Sequence, residues 1–452
     1  MSQCMHFRPR HHTRAAAILA GAILLSFAGA KAANGQGSAP PEPDGYSYYW
    51  PGACVQAMQR SENFYWRARE DTAQYTAAGD TLLDDVRRVA RDCAARFKSS
   101  GPSLSGNNLI PLAQVLLAAG DDAGAKQTVE RRLAEADVKS TAARAWILAQ
   151  IVELYLNWSD RSGRYQTLPV WVDVARGYLA QLDLLRGADA APGQTRAWLS
   201  LTRYYRQIGD DARMRAAIDS TIKTGKDLNE HDRSEYAFSL LSAYRYLADA
   251  EGDRTGEAAA PRAVLVRASA DLGKLPHIAP DIARYDTLYS RYGTKGPAVF
   301  ADLWIAAAAD TVHPRPGKVA ILNFRPSRPT IPATRRLARA IGDSVDVALV
   351  RATVGYFRGL GPLTFATEVP EVRKYFVDEL KIASSLAITE THYHTIADGR
   401  RIADPNANDR AYQTGQGTSI VVLDRQGIIR RIWLGWDNAY EPAIVTTLNR
   451  YK

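Results

Sequence analysis

Thiols would be the most reactive groups in this chain of 452 residues, which holds three cysteines, Cys4, Cys54 and Cys93. A thiolate is a nucleophile and a metal ligand, but Cys54 and Cys93 are not spaced as the Cys-x-x-Cys pair of a redox centre. "THYHT" puts His392 and His394 on one face of a possible strand, and His-x-His can ligate a metal, yet no third ligand stands at a recognisable spacing. "DPNANDRAYQTG" opens like a calcium loop at Asp404, Asn406 and Asn408. It then lacks the central Gly and has Gly415 where a bidentate Glu belongs. Gly-x-Ser-x-Gly, a phosphate-binding Gly-rich loop and His-Glu-x-x-His are all missing. Motif spacing therefore assembles no metal site, no cofactor site and no catalytic centre.

One further stretch, "KVAILNFRPSRPTIPATRRL", has the chemistry of an anion site. An apolar run ends at Phe324, a Pro-rich loop carries Arg325 and Arg328, and a helix-like pattern starts near Pro332. Free backbone N–H groups at a helix start attract negative charge, and arginines beside them add to it. Residues 311–452 hold 20 Lys and Arg against 13 Asp and Glu, a net of +7. A carboxylate, a phosphate or an acidic partner suits such a loop. Arginines simply solvated on a surface loop are the plainer reading.

The elements that position these residues begin after a leader. "HFRPRHHTR" is basic, "AAAILAGAILLSFAGA" is apolar, and Ala30-Lys31-Ala32 is an Ala-x-Ala cleavage signal, so residues 1–32 read as a signal peptide. The apolar run falls short of the ~20 residues of a membrane span, and no comparable run follows. No cysteine follows the cleavage site to carry a lipid. The expectation is a periplasmic or secreted protein with no membrane span once the signal is removed. "GQGSAPPEPDG", within 33–45, has the composition of a disordered leader. Losing residues 1–32 removes Arg8, Arg10, Arg14 and Lys31 with no acid, so the formal charge falls from +9 to +5. That excess is too modest to argue for nucleic acid. Export also favours a structural disulfide between Cys54 and Cys93, which lie in the helix-like segments "PGACVQAMQR" and "DDVRRVARDCAARF". Such a link would be worth about 4 kcal/mol by chain entropy. Two free thiols, or a redox-active pair, are the alternatives.

From 46 to 290 the pattern is helical. Leu109, Leu112, Leu116 and Leu117 recur at three- and four-residue steps, as do Trp198, Leu201, Tyr205 and Ile208. "LLAAGDDAGAKQTVERRL" and "YYRQIGDDARMRAAI" share one form: a helix, a Gly at the break, an Asp at the next start, and a second helix. "YAFSLLSAYRYLADAEGD" promises a third such break at Gly252. These units resemble tetratricopeptide repeats, in degenerate form. The resemblance implies a concave face that binds a protein or peptide. Tyr204, Tyr205, Arg206, Tyr244, Arg245, Tyr246, Tyr285, Tyr289 and Tyr292 are candidates for it, unless their rings pack between helices.

After Tyr292 the composition changes. Gly and Pro precede strand-length apolar runs at Val319–Phe324, Val345–Val350, Ile420–Leu423 and Ile428–Leu434, with helical stretches near 332–342, 367–382 and 438–449. The order is β-α-β-α-β-β-α. "GKVAILNF" and the closing "TSIVVLDRQGIIRRIWLGW" resemble exported thioredoxin-like reductases, and the likeness covers 293–452. The Pro-x-x-x-Thr-x-x-Cys spacing of the peroxiredoxin branch falls on Pro326, Thr330 and Ala333, with Thr334 following. Thr418 stands where the reductases keep a cis-proline and peroxiredoxins keep an Arg nearby. The resemblance thus implies an all-α helical-repeat domain followed by a thioredoxin-like α/β domain.

Thiol exchange and peroxide reduction both need a thiolate, and 293–452 contains no cysteine. Ala333 cannot ionise, and a hydroxyl such as Thr330 does not replace it without a base poised beside it. The expected function is therefore an exported, non-catalytic protein that binds a protein or peptide partner, with no cofactor. The alternative is an oxidoreductase of the thiol–disulfide or peroxide class working through Cys54 and Cys93.

Overall fold

Named elements from Ala78 to Tyr289 are all helical, as the three- and four-residue apolar spacing requires. A computed structural model describes residues 51–56, 58, 78–100, 104–157, 169–305 and, with short breaks, 314–451. The helices are α1 (Ala78–Ser100), α2 (Leu109–Ala119), α3 (Asp122–Ala134), α4 (Thr141–Asn157), α5 (Pro169–Asp183), α6 (Ala191–Gln207) and α7 (Asp211–Lys226). They continue as α8 (Glu230–Glu235), α9 (Ala237–Thr255), α10 (Ala259–Leu272) and α11 (Ala279–Tyr289). Neighbours in sequence pack on one another, α2 on α3, α6 on α7 and α9 on α10, and the array is tied lengthwise by α4 on α6 and α7 on α9. No helix among the described residues is long and apolar enough to cross a membrane.

The two Gly-Asp-Asp sequences build the same corner twice. Gly120 and Gly209 take left-handed φ values of 84° and 71°, where a Cβ would be strained. Asp121 and Asp210 then cap the following helices, their Oδ1 atoms accepting the N–H of Gly124 at 2.9 Å and of Arg213 at 3.0 Å. The third expected break is different. Helix α9 runs through Gly252 and ends at Gly256, whose φ is 69°. A Cβ on Gly252 would lie 3.0 Å from both the Arg431 guanidinium and the Tyr292 ring. Gly252 is there to let another element approach the helix, not to stop it.

That other element belongs to a six-stranded mixed sheet. Its strands are β1 (Leu303–Ile305), β2 (Val319–Phe324), β3 (Val345–Ala352), β4 (Ser385–Thr389), β7 (Ser419–Leu423) and β8 (Ile429–Leu434), in the order β1-β4-β3-β2-β7-β8. β2, β3 and β4 are parallel, while β1, β7 and β8 run antiparallel to their neighbours. β5 (Tyr393–Thr395) and β6 (Arg401–Ala403) form a separate ribbon. The four long apolar runs are all strands. β1 and β4 extend the simple β-α-β-α-β-β-α order: one has three residues, and "SLAIT" has too little bulk to stand out, although all five of its residues are buried. Helical segments lie at α12 (Phe365–Arg373), α13 (Ala407–Tyr412) and α14 (Tyr440–Tyr451). A π-helical turn, Lys374–Glu379, continues α12.

Alternation along the strands divides the core into two layers. Val319, Ile321, Val347, Ile420 and Val422 pack with Leu337, Ile444 and Leu448. Leu349, Leu386 and Ile388 meet Ile331, Val372 and Phe376 on the same face. The opposite face, with Leu322, Phe324, Ala348, Val350 and Val421, is continuous with the core of the helical array. One face is thus covered by helices of the sheet's own segment and the other joins the helices that precede it. Pro43–Lys452 form one compact unit.

Arg431 pins this junction at the sheet edge. Its side chain is 1% exposed, with Nε 2.7 Å from Asp253 Oδ1 and Nη2 3.4 Å from Asp249 Oδ1. Nη1 donates to the Tyr292 hydroxyl at 3.0 Å, and the guanidinium lies 5.0 Å from the Trp433 ring centre. Arg206, 3.5 Å from Asp249, brings the group to two cations and two carboxylates. Burial opposes the charge on Arg431, and Asp253, Tyr292 and Asp249 outweigh it, so its pKa rises well above the usual value. Tyr292 donates to the Ile432 carbonyl at 3.1 Å and accepts the Ile432 N–H at 3.2 Å, closing the open side of β8. Tyr289 donates to Asp249 at 2.8 Å. Burial pushes both tyrosines up, which keeps them protonated donors. Arg450 adds a bond to the Asp253 carbonyl from α14. Arg431→Met strands the Asp253 carboxylate and should lower the unfolding free energy by about 3–5 kcal/mol, measured by urea denaturation, with Arg431→Lys falling between. A loss near zero would mean that the network holds nothing together.

Candidate functional site

The carboxyl ends of β2 and β3 lie side by side, the usual place for a ligand in an open α/β sheet. Phe324 pairs with Val350, and the Arg325 N–H donates to the Val350 carbonyl at 2.6 Å. Arg325 has a φ of 50°, so the chain turns sharply there. The Thr418 hydroxyl donates to the Arg325 carbonyl at 3.0 Å. Two candidate positions far apart in sequence are therefore in contact, with Pro326 next to them.

Thr330 and Thr334 are buried, in a helical stretch that has begun by Thr330, earlier than the Pro332 suggested by sequence. Thr334 Oγ1 donates to the Thr330 carbonyl at 2.7 Å and accepts from Asn323 Nδ2 at 3.0 Å. Asn323, fully buried on the central strand, has no partner for its Oδ1 among the described residues. Sequence reasoning passed over Asn323, although a lone amide in "VAILNF" was the signal. Ala333 and Arg328 lie outside the described residues. Asn323, Thr330 and Thr334 contribute amide and hydroxyl groups, which do not ionise near neutrality. They can hold a shape and offer hydrogen bonds.

The loop after β3 adds a built apolar surface. Glu368, fully buried, takes Arg351 Nη2 at 3.0 Å and the N–H groups of Val354 and Gly355 at 3.0 and 2.8 Å. This fixes the loop at its base. Val354, Tyr356 and Leu360 stand out of it at 44%, 63% and 46% exposure. The Tyr356 ring rests on Gly361, where a Cβ would come within 2.2 Å of it. An exposed ring held on a rigid turn is a ready contact point for another molecule.

Other candidates have structural roles. Cys54 and Cys93 are joined as a disulfide with Cα atoms 6.3 Å apart, and both are fully buried. Tyr205, Tyr244, Tyr246, Tyr289 and Tyr292 are buried, contrary to a groove lined by them. The hydroxyls of four bond within the fold: Tyr205 accepts from Arg176 at 2.7 Å, Tyr244 donates to Asp271, Tyr289 donates to Asp249, and Tyr292 donates to the Ile432 carbonyl. The rings fill the space between helices, and the Tyr246 ring lies under the Arg206 guanidinium at 4.3 Å. Asn408 clasps the backbone of Phe300 through both its amide atoms, at 2.8 and 2.7 Å. His394 lies on β5, and His392, Asp404 and Asn406 are outside the described residues. His231, Asp232 and Glu235 bring donor atoms within 4.8 Å of one another on a short helix, but no buried group supports them as a metal site.

No family model matches this chain, and no curated protein does. Among solved structures it is similar to the crystal structure of a thioredoxin-like superfamily protein. The two are 20% identical over 34% of this chain and 95% of that one, with a TM-score of 0.25. A thiol-specific reagent applied to denatured, unreduced protein lacking residues 1–32 should find no free thiol. Two reactive thiols would show that the buried pairing of Cys54 and Cys93 is not formed in solution.

Proposed function

We propose that this is an exported, non-catalytic protein with a thioredoxin-like part behind a tetratricopeptide-like helical array, which binds a partner protein or peptide at the carboxyl edge of its parallel strands. One observation carries the reading. Where a thioredoxin-like enzyme would hold its thiol, this chain has the Asn323–Thr334–Thr330 hydrogen-bond chain and the Arg325–Thr418 contact. The same edge presents Val354, Tyr356 and Leu360 to solvent on a loop anchored by Glu368. The strand order β4-β3-β2-β7-β8, with its parallel half and antiparallel closing hairpin, supports the thioredoxin-like assignment. The repeated Gly-Asp-Asp corners support the helical-repeat one. The net positive charge of residues 311–452 favours a partner bearing acidic groups around an apolar side chain. Electron transfer through Cys54 and Cys93 has against it the full burial of both sulfurs, which denies an attacking thiolate access.

Purified mature protein should neither reduce insulin nor turn over peroxide. It should retain a partner from an envelope extract that Tyr356→Ser and Leu360→Ser fail to retain. Disulfide reduction that disappears in Cys54→Ser would overturn the reading in favour of an oxidoreductase.

A further inference from the structure

A cleft of about 720 Å³ opens in the helical array between the ends of α5 and α7 and the first half of α6. Asp183, Gln194, Trp198, Lys223 and Asp227 line it, together with the turn at Arg186. Trp198 Nε1 donates to Asp183 Oδ1 at 3.2 Å, which fixes the carboxylate and leaves its second oxygen available. The Arg186 guanidinium is turned to the backbone carbonyls of Asp183 and Leu185. Among the described residues neither Asp183 nor Lys223 has an ion-pair partner, although both line the same cleft.

The neighbouring cleft on the far side of α7, about 350 Å³, makes the contrast. Tyr244 donates to Asp271 there as Trp198 does to Asp183, but Lys226 sits 3.6 Å from Asp271 and balances it. The same aromatic–carboxylate unit is thus neutralised in one cleft and left open in the other. Two carboxylates, Asp183 and Asp227, and the Lys223 ammonium, without ion pairs among the described residues, share this cleft and suit a ligand that carries both charges. Burial pushes the Asp183 carboxyl up, against the Trp198 hydrogen bond and the Arg186 and Lys223 charges. A cation brought into the cleft would relieve the cost of that half-buried charge. The indole beside it adds a π-face for an ammonium group.

We propose that this cleft binds the two ends of a short peptide, its ammonium at Asp183 beside Trp198 and its carboxylate at Lys223. The volume fits a ligand of a few residues. The site lies away from the carboxyl edge of the sheet and does not depend on the function proposed for that edge. Calorimetric titration of full-length mature protein with trialanine tests it, alongside N-acetyl-trialanine and trialanine amide. Trialanine should bind saturably, and each blocked peptide should bind at least about tenfold more weakly, having lost one charged contact. Asp183→Asn should weaken trialanine to the level of the acetylated peptide and leave the acetylated peptide unchanged. Lys223→Gln should do the same with respect to the amide. Both side chains reach solvent, and circular dichroism verifies that the variants fold. Equal binding of blocked and free peptides, indifference to Asp183→Asn, or no saturation in the millimolar range would overturn the assignment.

Discussion

A guanidinium buried at a sheet edge is tolerable only if its charge and its hydrogen-bond donors are met from outside the sheet. Arg431 meets its charge and most of its donors from the helical array: Asp253 and Asp249 on α9 and Tyr292 just beyond α11. Much of the local sequence follows from it. Gly252 has no side chain so that α9 can come close, and Arg206 balances the second carboxylate. Tyr292 has its hydroxyl on the β8 backbone, where a further strand would otherwise pair. A helical array and a sheet that could have been separate domains thereby share one core.

That shared core shapes what the molecule can do. A sheet buried on both faces leaves its strand ends and connecting loops as the places to meet a ligand. The carboxyl edge of β2 and β3 is such a place, with its polar groups tied into the fold and its apolar residues turned outward. The clefts beside α7 are a second set, lined wholly by residues of the helical array. Cys54 and Cys93 are buried as a disulfide within the helical part.

Much of this was legible in the residues themselves. Gly120 with Asp121, and Gly209 with Asp210, announce their corners because a left-handed turn and a cap are local needs met by local residue types. The four long apolar runs are strands for the same reason. Gly252 misled because an identical Gly-Asp sequence serves a distant contact, and nothing near it in sequence mentions Arg431. The buried tyrosines misled similarly, since helical spacing does not say which face meets a neighbour. β4 escaped notice because its burial comes from its position beside β3 and not from large side chains. In the candidate site, the contact of Thr418 with Arg325 follows from the strand order, whereas the role of Asn323 depends on where Thr334 sits in space.

Hydrogen exchange of the full-length protein across a series of urea concentrations tests the single-core account most directly. Amides of Ala237–Thr255 and of the β7–β8 hairpin should lose protection together, at one urea concentration, because neither part can bury its share of the junction alone. Loss of protection in the hairpin at a urea concentration that leaves α9 fully protected would contradict it.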